Sequence, residues 1–218
     1  MSSCNNGPTG IADSDEQGTP ALCRSIAASL EAAPEQLHPD FPLPRPDQLL
    51  EAAVLVPLVE RPSGLNVVLT RRSEALNRHA GQISFPGGRV DRTDHSPLAA
   101  ALREAHEEVG LVPARVQVLG SMPRYPTGTG FMIHPFVGYV RESGLLVPEP
   151  SEVAEIFEVP LAFFLDPANH HPHRFERDGR VYHLHAMPYG DYYIWGATAA
   201  ILRELYTRLR GESPELLP

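Results

Sequence analysis

Glu104, Glu107 and Glu108 fall within five consecutive positions of the stretch REAHEEVGL, Arg103 to Leu111. At about 100° per residue, a helix places these carboxylates within an arc of roughly 100°. Like charges so spaced repel by about 0.3 kcal/mol per pair, and the C-terminal half of a helix disfavours anions. A hard divalent cation removes both penalties. Mg2+ and Mn2+ favour carboxylate oxygens and complete their shells with water and substrate phosphate, so the three glutamates are candidate metal ligands for chemistry at phosphorus. For REAHEE alone, a solvated helix face with Arg103 softening the repulsion is an equally good account. Just upstream lies FPGG, Phe85 to Gly88. Gly87 and Gly88 have no side chain to block the approach of backbone to a metal or a phosphate.

The helix that carries the glutamates is well bounded. Ser96 is a good N-cap, Pro97 suits the first helical position and Gly110 can adopt the positive φ of a C-terminal stop. Leu98, Leu102, Ala105 and Val109 form a separate apolar stripe, which predicts a core face distinct from the acidic one. Before it, AAVLVPLVE and LNVVLTRR flank the turn RPSG and read as a hairpin of buried strands. After it, strands are expected at RVQVLGSM, FMIHPFVGYV, HRFERDG and VYHLHAMPYG, with a short helical piece within PSEVAEIFEVPLAFFLD and a closing amphipathic helix, GATAAILRELYTRLR. This mixed order predicts an α/β sandwich with a mixed sheet. Residues 1–20 read as a mobile tail, 21–48 as a helix with a Pro-rich connector, and 49–212 as the folded domain.

The formal charge of −9 over 218 residues argues against broad nucleic-acid binding but permits a local basic pocket for one small phosphate compound. Cys4 and Cys23 are the only cysteines. Without CxxC spacing they fit a reducing compartment. No basic start followed by an apolar run and no stretch near the roughly 18 apolar residues of a membrane span is present. The expectation is therefore a cytoplasmic protein that does not engage a membrane; oligomeric state is open. His170, His171 and His173 lie in a Pro-rich loop without cysteines to complete a usual zinc set.

REAHEEVGL together with the preceding FPGG resembles the signature of the Nudix hydrolase superfamily, in which a glycine and a glutamate precede R-E-apolar-x-E-E-x-G-apolar. The second half matches throughout. Counted from Gly88, the family's early glutamate falls on Asp94; counted back from Arg103 it falls on His95. Asp94 is expected to support the site from a slightly longer loop, and His95 to be a surface residue. A second likeness lies in VLTRRSEALNRHAGQISFPGG, Val68 to Gly88, which is similar to the extra motif of the Nudix branch that hydrolyses coenzyme A. That branch places arginine where Asn77 stands, with Arg78 one step later, so either Arg78 does the work or one phosphate contact is weakened.

The resemblance implies a Nudix-type α/β/α sandwich and a Mg2+- or Mn2+-dependent attack of water on the pyrophosphate of coenzyme A, giving 4′-phosphopantetheine and adenosine 3′,5′-bisphosphate. It implies metal ligation by Glu104, Glu107 and Glu108, with Glu108 also catalytic, and a bidentate contact by which Arg103 orients a glutamate. Glu152 is the candidate general base, ahead of Glu155; both also suit the acidic start of a helix. Arg72 and Arg78 are candidate phosphate partners, or structural salt bridges. Gly87 and Gly88 with Phe85 and Tyr125 are candidate substrate contacts, and Trp195 a candidate for stacking; aromatics so placed also suit a core. The alternatives are hydrolysis of another nucleotide diphosphate derivative, such as ADP-ribose or NADH, and a non-catalytic nucleotide-binding module.

Overall fold

A computed structural model describes residues 19–31, 36–37, 48–75, 79–177 and 179–212. Most of the expected tail and connector, and both Asn77 and Arg78, lie outside the described residues. The expected hairpin is present: β1 (Leu50–Arg61) and β2 (Gly64–Arg72) pair antiparallel, with Arg61 opposite Gly64 across the Pro62–Ser63 turn. The apolar run of β1 reflects burial on both faces. Val56 and Leu58 join one core cluster, while Ala53, Leu55 and Val59 join another.

β7 (Phe131–Val140) lies parallel to β1 over ten residue pairs, from Leu50 opposite Phe131 to Val59 opposite Val140. The short strands β3 (Ile83–Ser84) and β4 (Gly87–Arg89) pair with β2 and β1, and β5 (Gln117–Ser121) and β6 (Tyr125–Pro126) pair with β7, all antiparallel. β8 (Val153–Pro160) completes this mixed sheet against β2. The short helical piece expected within PSEVAEIFEVPLAFFLD is α3 (Leu161–Leu165), but Glu152 and Glu155 do not open a helix: the residues ahead of α3 form the strand. Val153, Phe157 and Val159 are buried while the residues between them are more open, a two-residue period that spacing alone confuses with a helix turn. A separate sheet joins β9 (His171–Arg177), β10 (Arg180–Tyr189) and β11 (Tyr192–Trp195).

Helices cover the main sheet on both sides. α2 (Pro97–Val109) packs Ala100, Ala101, Ala105 and Val109 onto one face with Leu55, Val59 and Val68. α1 (Ala21–Glu31) and α4 (Gly196–Glu212) contribute Ile26, Leu30, Leu202 and Leu205 to the opposite core, together with α3. The expected α/β/α sandwich with a mixed sheet is thus the observed architecture, and α1 is part of its core. Among the described residues no helix is long and apolar enough to cross a membrane.

α2 begins and ends where its caps dictate. Ser96 is extended, and its hydroxyl accepts the Ala99 N–H at 3.1 Å. Gly110 adopts φ 70° and ψ 15° and donates its N–H back to the last turn. Because an L side chain at that φ is strained, Gly110→Ala should lower stability by about 1 kcal/mol, read as an earlier midpoint in chemical denaturation with an unchanged slope. Unaltered stability would show that the helix end does not depend on the left-handed residue.

Candidate active site

Three segments converge on one acidic cluster. α2 brings Arg103, Glu104, Glu107 and Glu108; β4 brings Gly87 and Gly88; the turn before β8 brings Glu152. Carboxylate oxygens of Glu104, Glu108 and Glu152 lie within 4.8 Å of one another, the one such group among the described residues. Bare backbone makes this approach possible. A Cβ on Gly88 would stand 2.6 Å from the Glu104 carboxylate, and one on Gly87 2.4 Å from the Ala53 carbonyl oxygen. The Gly87 N–H is left to donate to Glu108 Oε2 at 3.0 Å.

Glu108 is only 2 % exposed, so the acidic and core faces of α2 are not separate as expected: this acid is carried on the buried side. Burial pushes its carboxyl up from an ordinary 4.5 to about 7. The Gly87 N–H and Arg72, whose Nη1 is 3.6 Å from Glu108 Oε1, oppose the rise, and Glu104 and Glu152 add to it. Burial likewise raises Glu104, against the pull of Arg103. Two carboxyls held reluctant to ionise beside a third form an all-oxygen donor set whose charge a divalent ion would neutralise, so these residues fit Mg2+ or Mn2+.

Arg103 organises the rest. Its Nε and Nη2 fork onto Asp94 at 3.0 and 2.9 Å, while Nη1 donates to Glu104 and to Glu107, each at 2.9 Å. The bidentate contact expected on a glutamate is therefore on Asp94, because the planar guanidinium edge meets the loop ahead of α2 rather than its own helix. This fork holds Asp94 well below the usual carboxylate range and places Asp94 behind the cluster as a support. His95 is exposed. Glu107, with its side chain 58 % exposed, lies outside the group of three; its place there is taken by Glu152.

The aim of Glu152 has a local cause. Pairing between β2 and β8 shifts register, with Arg71 opposite Glu155 but Arg72 opposite Val153, and such a bulge turns the following side chains. The Glu152 carbonyl accepts the Ser73 N–H at 2.8 Å. Glu155 is engaged elsewhere, accepting the Tyr192 hydroxyl at 2.6 Å and facing Arg71 at 3.3 Å.

The cluster opens on a cavity of about 660 Å3 whose walls include Arg72, Phe85, Tyr125, Phe175, Arg177 and Trp195. Phe85 and Tyr125 are also core residues, 3 % and 2 % exposed, showing only part of their surface to the cavity. Sequence reasoning gave no place to Phe175 and Arg177, since one strand with alternating exposure offers no signal of what faces it. His170 bonds the Phe164 carbonyl and His173 the Tyr193 hydroxyl, each at 2.8 Å.

A sheet held between helices, with α2 offering its glutamates beside a glycine strand, is the setting of a family of hydrolases. The NUDIX domain model matches residues 49–178. The chain belongs to the Nudix hydrolase family. It is 44 % identical over 164 residues to "Uncharacterized Nudix hydrolase NudL" of Cronobacter sakazakii, covering 75 % of this chain and 84 % of that protein. It is also 44 % identical over 155 residues to the protein of the same name in Escherichia coli strain K12, covering 71 % and 80 %. Among solved structures, a C. elegans Ap4A hydrolase binary complex matches 75 % of this chain and 99 % of its own at 16 % identity and TM-score 0.49. The NUDIX domain of Shewanella oneidensis NrtR, complexed with ADP ribose, matches 52 % and 74 % at 21 % identity and TM-score 0.42.

Because folding raises the Glu108 pKa, its contribution to metal-free stability is complete below about pH 4.5 and is lost as pH rises through 7, by about 3 kcal/mol. Chelator-treated wild type should therefore lose more thermal stability between pH 5 and 8 than Glu108→Gln, and Mg2+ at pH 8 should restore the wild type alone. Parallel pH profiles for the two proteins would contradict this account.

Proposed function

We propose that the chain hydrolyses the pyrophosphate of coenzyme A to 4′-phosphopantetheine and adenosine 3′,5′-bisphosphate, with Mg2+ or Mn2+ as cofactor. The observation that carries the reading is the meeting of Glu104, Glu108 and Glu152 within 4.8 Å at a cavity also lined by Arg72. The likeness of Val68 to Gly88 to the coenzyme A branch supports the choice of substrate.

When bound, the ion supplies a water of lowered pKa and neutralises diphosphate oxygens. Glu104 and Glu108 would hold it, and the Gly87 N–H fixes the Glu108 carboxylate. Arg103 and Asp94 hold Glu104 in place from behind, and Glu107 is the outer partner of Arg103. Glu152, exposed where Glu108 is buried, takes the proton of the attacking water. Arg72 balances charge at Glu108 and faces the substrate phosphates, with Arg78 as a second phosphate partner; Phe85, Gly88 and Tyr125 shape the substrate path.

Two experiments test the proposal. Mass spectrometry of coenzyme A products formed in 18O water identifies the compounds and the phosphorus attacked; cleavage of ADP-ribose or NADH with coenzyme A untouched would overturn the substrate. Glu152→Gln should lower kcat by about 10²–10⁴-fold with Mn2+ affinity retained. A loss of Mn2+ affinity instead would make Glu152 a ligand rather than the base.

A further inference from the structure

One wall of the catalytic cavity is built by none of the elements that carry its carboxylates. Phe175 of β9 and Trp195 of β11 line the cavity from the three-stranded sheet. Their ring centroids are 5.3 Å apart at 43°. Trp195 also meets the His173 ring at 5.1 Å, and His173 is itself anchored to the Tyr193 hydroxyl at 2.8 Å. The indole is thus held in one orientation while remaining only partly buried. Beside this pair, exposed Arg177 donates to the Gly128 carbonyl at 3.2 Å, tying the end of β9 to the loop between β6 and β7. Arg177, Thr127, Gly128 and Thr129 line the same cavity.

From this geometry we infer that the second sheet is the nucleoside subsite: the purine base stacks on Trp195 against Phe175, and Arg177 receives a phosphate on the ribose. The inference rests on the diphosphatase reading for the rest of the substrate. A fixed indole face is complementary to a planar heterocycle and has no equivalent partner in a flexible aliphatic amide chain. A guanidinium adjoining it distinguishes a nucleoside that carries an additional phosphate from one that does not. Pre-positioning by His173 and Phe175 reduces the ordering needed on binding. The carboxylates act on the diphosphate alone, so this wall would choose among diphosphates.

The sequence contains a single tryptophan, so intrinsic fluorescence of the full chain reports on this wall directly. Adenosine 3′,5′-bisphosphate and AMP should each quench it at saturation, whereas 4′-phosphopantetheine should leave it unchanged. Arg177→Gln should weaken adenosine 3′,5′-bisphosphate about 10-fold while AMP binds as before. Calorimetric binding of the nucleotides without a fluorescence change, no nucleotide binding at all, or quenching by 4′-phosphopantetheine alone would each overturn the inference. The two readings fail separately. Quenching by nucleotides in a protein that does not cleave coenzyme A keeps the nucleoside wall and removes the substrate; cleavage of coenzyme A without quenching does the reverse.

Discussion

Arg103 is the counter-ion around which the acidic side chains are arranged. A single guanidinium serves Asp94, Glu104 and Glu107 with donors at 2.9–3.0 Å, which offsets the repulsion that would otherwise splay these acids apart. Lysine could not do this, since a compact ammonium lacks the planar fork that matches Asp94 while a further nitrogen reaches two more carboxylates. Glu108 receives none of this relief. It relies on one backbone N–H and a more distant Arg72, and its reluctance to ionise follows. The site is therefore divided into acids that Arg103 supports and a buried one that it does not reach.

That division gives the architecture around α2 its purpose. The small residues Ala100, Ala101 and Ala105 seat the helix closely on the sheet, and the two glycines of β4 leave no side chain between strand and helix. A larger residue at either place would push Glu104 or Glu108 outward into water, where carboxyls ionise freely and need no cation. Close packing, usually discussed as stability, here controls charge.

Much of this was legible in the chain because it is locally encoded. Ser96, Pro97 and Gly110 specify the ends of α2 without reference to anything distant, and the β-branched residues clustered in β1 and β2 announce strands. Within PSEVAEIFEVPLAFFLD the place of the short helical piece is not locally fixed, because Val153, Ile156 and Phe157 suit a helical spacing as well as a strand, and only pairing with β2 decides between them. Helical angle showed that Glu104, Glu107 and Glu108 share a side, but not where the sheet lies against it. For that reason the burial of Glu108, the exposure of Glu107 and the entry of Glu152 into the group were not deducible. The fork of Arg103 on Asp94 depends likewise on the path of a loop, and the wall formed by Phe175 and Trp195 on how β9 and β11 flank β10.

The parallel pairing of β1 with β7 also sets an order of assembly. Residues 50–59 find their partners at 131–140, and all of α2 lies in the chain between them. Such distant partners must be joined against the entropy of a long closure, which slows folding relative to local helix formation. α2 can thus form early as a helix while its glutamates still face water. The group of Glu104, Glu108 and Glu152 is completed only when Glu152 arrives with β8, so these acids come together only once the chain beyond β7 has joined the sheet.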